Sequence, residues 1–117
     1  MIEHSYMNKK ALINSLKQYA AVDEKAIIEE TIIVEELTFM QLRDWLIEIG
    51  TILKEDYDNH IYVISIAAGL ANLNSAIIAI QLNKNALDCI GYAREGLINQ
   101  HTAEKAINKI RQRIFKR

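Results

Sequence analysis

The clearest pattern in the sequence is a run of apolar residues at helical spacing after Thr38. Thr38 and Gln41 form a capping-box pattern, in which each side chain satisfies a free backbone N–H at the start of a helix. Apolar residues then recur at intervals of three and four, which places them on one face of a helix. They are Leu42, Trp45, Leu46, Ile49, Ile52 and Leu53. We expect this helix to continue through Gly50 and to end near Asp56.

Weaker helical patterns lie at both ends of the chain. Asn8 is a suitable N-cap for a first helix, and Thr102 is a suitable N-cap for a last one. A further short helix is expected over residues 85–96. The apolar residues at helical spacing are Leu12, Leu16 and Tyr19 in the first helix and Ala103, Ile107, Ile110 and Ile114 in the last.

Two segments fit either a helix or a strand. Residues 24–37 contain the β-branched residues 32–34, which suit a strand, but pairs of glutamates flank them, and glutamate favours helix. We expect a helix there, capped by Asp23. Residues 61–66 could form a short strand instead of the start of a helix.

Residues 59–83 contain no Lys, Arg, Asp or Glu, so a membrane span has to be considered. Polar side chains near the centre of the segment would each need a partner in lipid, and we therefore expect two buried antiparallel helices joined near residues 72–74. The first eight residues contain Glu3 and no long apolar run, so no secretory signal is expected and a cytoplasmic location is predicted. The polar residues concerned are Ser65, Asn72, Asn74 and Ser75.

Composition agrees with a helical protein. The chain has 117 residues, no proline and four glycines, which argues against a loop-rich β-sandwich. A chain of this length forms a single domain. We therefore predict an all-α fold class, with residues 1–117 forming one helical bundle of five or six short antiparallel helices.

Residue patterns typical of catalytic and metal sites are absent from the sequence. His4, His60 and His101 are far apart, and there is no glycine-rich phosphate loop. Cys89 has no histidine beside it and is expected to be a small core residue. Trp45 lies within the apolar stripe and is expected to anchor the core. We expect a non-enzymatic protein without a cofactor or metal.

Charge is divided unevenly along the chain. Residues 1–58 hold six Lys/Arg and twelve Asp/Glu, a net charge of −6, whereas residues 59–117 hold eight and three, a net charge of +5. The two halves could attract each other within one fold. If instead the acidic residues share one exposed surface, that surface would attract a cationic protein and speed its association. The candidate residues are Glu29, Glu30, Glu35, Glu36, Asp44, Glu48, Glu55 and Asp56.

These acidic residues carry a resemblance to a known class of proteins. With the paired run Glu29-Glu30 and Glu35-Glu36, and the series Asp44, Glu48 and Glu55, the chain resembles in overall profile the small helical immunity proteins that protect bacteria from their own nuclease toxins. The resemblance implies an antitoxin whose carboxylates take the place of nucleic-acid phosphates on a basic toxin.

Two other interpretations remain open. Lys105, Lys109 and Arg113 recur every four residues and could contact nucleic-acid phosphates or an anionic membrane surface. A pI near 6.3 makes nucleic acid the less expected ligand. The protein could also be a self-associating structural subunit, in which the acidic face of one copy meets the basic face of the next.

Overall fold

The fold combines three α-helices with five β-strands. A computed structural model describes residues 2–116, with side chains from residue 8 onward. Single turns of 3₁₀-helix lie at Glu24–Ala26 and Leu70–Asn72. The helices are α1 (Ile2–Lys17), α2 (Phe39–Ile49) and α3 (Thr102–Phe115), and the strands are β1 (Ile28–Ile33), β2 (Thr51–Asp56), β3 (Ile61–Ala68), β4 (Asn74–Asn83) and β5 (Ala86–Tyr92).

The five strands form one antiparallel sheet in the order β1-β5-β4-β3-β2. Strands β2 to β5 follow one another as hairpins, whereas β1 pairs with the last strand, from Ile28 opposite Gly91 to Ile33 opposite Ala86. Strands β1 and β2 are therefore the two edges. The prediction of an all-α helical bundle is wrong.

Helices cover both faces of the sheet. On one face, α2 and α3 pack over a large apolar cluster, and on the other face α1 packs over a smaller one. Successive residues of β3 point to opposite faces, so Tyr62 and Ile64 belong to the first cluster and Ile61 and Val63 to the second. The central strands are consequently buried on both sides.

This double burial explains why the uncharged residues 59–83 resemble buried helices in the sequence. A strand covered on both faces has no polar alternation and is hard to distinguish from a buried helix. Residues 59–83 form β3 and β4 rather than two helices, and the strand alternative for residues 61–66 is confirmed. The expected break near residues 72–74 does separate these two elements. Among residues 2–116, no helix is long and apolar enough to cross a membrane.

Three other helical predictions need correction. The helix over residues 24–37 is wrong, because β1 occupies its centre, and the one over residues 85–96 is wrong, because β5 lies there. The β-branched residues of β1 favour a strand. Its two glutamates form ion pairs with helices on opposite faces of the sheet. The first helix begins at Ile2 and not at Asn8.

The capping box at Thr38 is confirmed, but its helix is shorter than predicted. Thr38 Oγ1 accepts a hydrogen bond from the Gln41 N–H (3.1 Å), and Gln41 Oε1 accepts one from the Thr38 N–H (3.0 Å). Helix α2 ends at Ile49, and the apolar residues Ile52 and Leu53 belong to β2. The C-terminal helix begins at Thr102, which is its first residue and not the expected N-cap. The predicted apolar face is buried, namely Ala103, Ile107, Ile110 and Ile114.

Candidate interaction surface

The predicted acidic residues are spread over several faces of the molecule. Glu29 and Glu30 are neighbours on β1 and point to opposite faces of the sheet. Glu29 pairs with Lys9 of α1, and Glu30 accepts a hydrogen bond from Arg111 of α3 at 2.6 Å. Each of these two glutamates is therefore ion-paired with a helix, one on each face of the sheet.

Three further carboxylates are held within the fold. Glu48 of α2 pairs with Arg113 (2.7 Å), Glu55 of β2 pairs with Arg43 (2.7 Å), and Asp56 accepts hydrogen bonds from Asn59 in the β2–β3 turn. The hydrogen bond from each of these partners lowers the pKa of the carboxyl group below its ordinary value. Asp44 is exposed on α2, and Glu35 and Glu36 are exposed directly after β1.

The predicted basic face is also partly committed to internal contacts. Lys109 donates hydrogen bonds to the Ala67 carbonyl (2.7 Å) and to Asn72 Oδ1 (2.8 Å). The guanidinium of Arg113 bonds Glu48 and also lies over the ring of Trp45, 5.1 Å from its centroid. Lys105 is exposed on the first turns of α3.

Strand β1 contains two of the predicted glutamates, is followed by two more, and has an uncovered sheet edge. The Val34 N–H donates to the Asn85 carbonyl at 2.8 Å, which fixes the alternation of backbone groups along this edge. By that alternation, Glu29, Thr31 and Ile33 direct their N–H and C=O groups away from β5. Within residues 2–116, no backbone hydrogen bond satisfies these groups.

The opposite edge carries protective features that β1 lacks. In β2 the pairing register shifts between Ile52 and Lys54, and such a bulge bends a strand away from new partners. The Tyr19 hydroxyl also donates to the Leu53 carbonyl at 3.1 Å. Strand β1 pairs in continuous register and contains neither proline nor lysine. Its edge is therefore open to a further strand.

An apolar cavity lies beside the C-terminal end of β1. It has a volume of about 270 Å³ and is lined by Ile33, Val34, Glu35, Ile114 and Phe115. Ile33 and Phe115 are both largely exposed, so an incoming apolar side chain would cover apolar surface that now faces water. The edge and this cavity together form the candidate surface.

Charge along the candidate surface is negative. Glu29 and Glu30 lie near its start, and Glu35 and Glu36 lie just beyond its end, where Glu36 has a left-handed backbone (φ 48°). Lys9 pairs with Glu29 and Arg111 with Glu30. Sequence reasoning found the glutamates but not the edge, because only the pairing of β1 with β5 shows that its other side is uncovered.

Comparisons with protein-family models, with curated proteins and with solved structures found no match to this chain.

The described side chains hold one buried thiol. Cys89 is buried in the core as expected, although in β5 and not in a helix. Burial raises the pKa of this thiol to about 12, so it is protonated at neutral pH and a poor nucleophile. No group of three or more His, Cys, Asp or Glu side chains in the described part of the chain could hold a metal ion.

Proposed function

We propose that this chain is a non-enzymatic protein-binding module that takes up an extended, cationic segment of a partner protein along β1. The observation that carries the proposal is the open edge of β1, which has pairs of glutamates at both ends and an apolar cavity beside it. Edge strands of this kind are templates for another strand.

The recognition would combine three interactions. Backbone N–H and C=O groups of Glu29, Thr31 and Ile33 form the ladder with the added strand. An apolar side chain of that strand fills the cavity beside Phe115, and a lysine or arginine side chain lies next to Glu36. The negative charge also accelerates the encounter with a cationic partner.

We further propose that the partner is a nuclease-type toxin and that the chain acts in the cytoplasm as its immunity protein. A nuclease holds phosphates with basic residues, so a basic segment bound to this edge would be withdrawn from its substrate. The support for this role is the acidic character of the edge, which suits a cationic ligand.

Crosslinking in the native host tests the binding mode. A photoreactive phenylalanine analogue replaces Ile33 at the β1 edge, and a matched variant carries it at Leu53 on the protected β2 edge. We expect the variant at position 33 to crosslink a basic protein, identified by mass spectrometry, and the variant at position 53 to give none. A crosslink at position 33 to a second copy of this chain would contradict a cationic partner.

The substitution Thr31→Pro tests whether the partner binds by strand addition or through other contacts. The Thr31 N–H points outward, so Thr31→Pro spares the pairing with β5 while removing a donor and blocking an incoming strand. We expect the affinity for the crosslinked partner to fall at least about tenfold. Thr31→Val is the matched control, because both variants lose the hydroxyl bond to Asp88 (3.0 Å) but valine keeps the N–H. Equal affinities of the two variants would exclude strand addition.

A charge reversal tests the acidic character separately. Glu36→Lys should lower the association rate with the same partner and weaken its dependence on salt. Asp44→Lys on α2 makes the same change in net charge away from β1 and should leave the rate close to that of the wild type. Identical effects of both reversals would show that only the total charge matters.

A further inference from the structure

The end of the molecule opposite the β4–β5 turn carries four aliphatic side chains that are largely exposed. They lie on two loops, residues 69–73 between β3 and β4 and residues 93–101 between β5 and α3. Their exposed fractions are 69% for Leu70, 87% for Leu73, 107% for Leu97 and 76% for Ile98. Single exposed aliphatic residues are common on protein surfaces, but four on adjoining loops indicate an interaction site.

Hydrogen bonds fix the two loops to each other. The Leu70 N–H donates to Gln100 Oε1 at 2.8 Å, and Asn74 Nδ2 donates to the Arg94 carbonyl and to Thr102 Oγ1, both at 3.1 Å. These contacts join the two loops that carry the four aliphatic residues at this end of the molecule. We call this end, defined by Leu70, Leu73, Leu97 and Ile98, the aliphatic tip.

The backbone of the aliphatic tip is held in an unusual conformation. Gly69 has a φ of 72°, and three non-glycine residues, Ala71, Asn72 and His101, have φ values between 54° and 58°. Left-handed backbone at such residues costs free energy and persists only where the surroundings fix it. Here Lys109 supplies two of the fixing contacts, through Ala67 and Asn72. The fold therefore holds these loops in place with their aliphatic side chains in solvent.

Three cations and two carboxylates border the aliphatic tip. Arg94 and Lys105 are exposed, and Lys109 is half-buried. Glu95 accepts hydrogen bonds from the backbone N–H groups of Thr102 (2.8 Å) and Gln100 (3.3 Å). Glu104, the other carboxylate of this region, is 41% exposed and contacts the exposed His101 ring at 2.9 Å. Two exposed cations at the rim, Arg94 and Lys105, thus stand against one partly exposed carboxylate, Glu104, while the ammonium of Lys109 is bonded inward.

We propose that the aliphatic tip inserts into the surface of an anionic phospholipid membrane. Protruding aliphatic side chains with a basic rim match the acyl boundary and the charged headgroups of such a surface. A symmetric contact with a second copy would instead bring two sets of like charges together. The four aliphatic side chains also offer less than the roughly 800 Å² that each partner buries in a standard protein interface.

Vesicle sedimentation tests this proposal. The wild-type protein is mixed at low salt with sucrose-loaded vesicles of phosphatidylcholine alone or of phosphatidylcholine with phosphatidylglycerol. We expect binding to the anionic vesicles and little to the neutral ones. Leu97→Ser should weaken that binding about tenfold or more, and Lys105→Gln about fivefold. Ile47→Ser, which alters an exposed aliphatic residue of α2, is the matched control and should bind as the wild type does.

Four results would overturn the proposal: no binding to anionic vesicles, equal binding to neutral ones, unchanged binding of Leu97→Ser, or a wild-type dimer that this substitution dissociates in sedimentation velocity. The test is independent of the proposed strand addition. Thr31→Pro should bind vesicles as the wild type does, so failure of one proposal leaves the other standing.

Discussion

At the scale of single residues, Gly50 shows how one close contact fixes the junction of α2 with β2. A Cβ atom at this position would lie 2.4 Å from the Ser65 carbonyl oxygen and 3.0 Å from two isoleucine side chains. Ser65 is the pairing partner of Thr51 at the start of β2, so its carbonyl cannot move without disturbing the ladder. The sequence predicted Gly50 inside a helix. There a glycine would lower stability through its poor helix propensity, and no close contact would require it.

We predict that Gly50→Ala lowers the free energy of unfolding by about 2–3 kcal/mol, because overpacking a well-filled site costs this much. Urea titration followed by far-ultraviolet circular dichroism measures the change. Gly96→Ala is the control, since no atom lies within 4 Å of a Cβ there, and it should stay within about 0.5 kcal/mol of the wild type. A Gly50→Ala protein as stable as the control would show that the junction can relax.

At the scale of elements, the start of α3 depends on a distant residue. Thr102 is its first residue and not its N-cap, and the side chain of the N-cap His101 accepts no hydrogen bond from a backbone N–H group of the helix. Glu95 takes this role, since its carboxylate accepts the Thr102 and Gln100 N–H groups. A carboxylate at a helix N-terminus also interacts favourably with the helix dipole.

The protonation of Glu95 gives this cap a pH dependence. Burial by itself raises the pKa of Glu95, but the hydrogen bonds from Thr102 and Gln100 and the proximity of His101 outweigh it and lower the pKa below 4.5. Because the folded pKa is depressed, the stabilisation is complete above pH 4.5 and is lost as the pH falls through the lower folded value.

We predict that Glu95→Gln is less stable than the wild type at pH 7 and that this difference shrinks between pH 5 and pH 3. Unfolding titrations of both proteins across that range test it. The comparison isolates Glu95, because the other carboxylates with lowered pKa values, such as Glu48 and Glu55, are common to both proteins. A difference that stays constant with pH would mean that the glutamate acts through its shape and not its charge.

The sequence was most informative where an element has one buried face. Helix α3 and the capping box of α2 were predicted correctly, because one apolar stripe and one pair of polar residues specify them. For the strands a helix was the favoured prediction, although a strand was an alternative at residues 61–66. Strands β3 and β4 are apolar on both faces and β1 is rich in glutamate, so neither shows the alternation of a strand with one exposed face.

The same limit applied to the candidate surface. Glu29, Glu30, Glu35 and Glu36 were selected from the sequence by their charge, and β1 does carry or border all four. Their arrangement depends on the strand period, which sends Glu29 and Glu30 to opposite faces. The open edge itself arises from the pairing of β1 with β5, more than fifty residues away along the chain, and no local pattern encodes that pairing.

At the scale of the whole molecule, helix α3 brings the two oppositely charged halves of the chain together. Arg111 reaches Glu30 on β1, and Arg113 reaches Glu48 on α2, each at 2.6–2.7 Å. The basic helix therefore neutralises part of the acidic half within one molecule. The sequence showed the asymmetry of charge, but the partners of each arginine follow from where α3 packs on the sheet.

The contact between Glu30 and Arg111 should stabilise the docking of α3 on β1 by a measurable amount. Both side chains are about one-third exposed, at 32% and 31%, so solvent weakens the pair without abolishing it. In a double-mutant cycle with Glu30→Gln and Arg111→Gln, we expect a coupling of about 0.5–1 kcal/mol in the free energy of unfolding. High salt should reduce it, because the pair is partly screened.

The exposed pair of Lys17 and Glu24 is the control for that cycle. Its side chains are 44% and 59% exposed, and it joins two neighbouring segments of the acidic half. Its coupling free energy should therefore be smaller and should disappear at a lower salt concentration. If the two cycles gave the same coupling free energy, the ion pair of α3 would contribute no more to docking the helix than any exposed ion pair. The apolar face of α3, through Ile107 and Ile110, would then be sufficient to dock it, and the division of charge along the chain would serve binding alone.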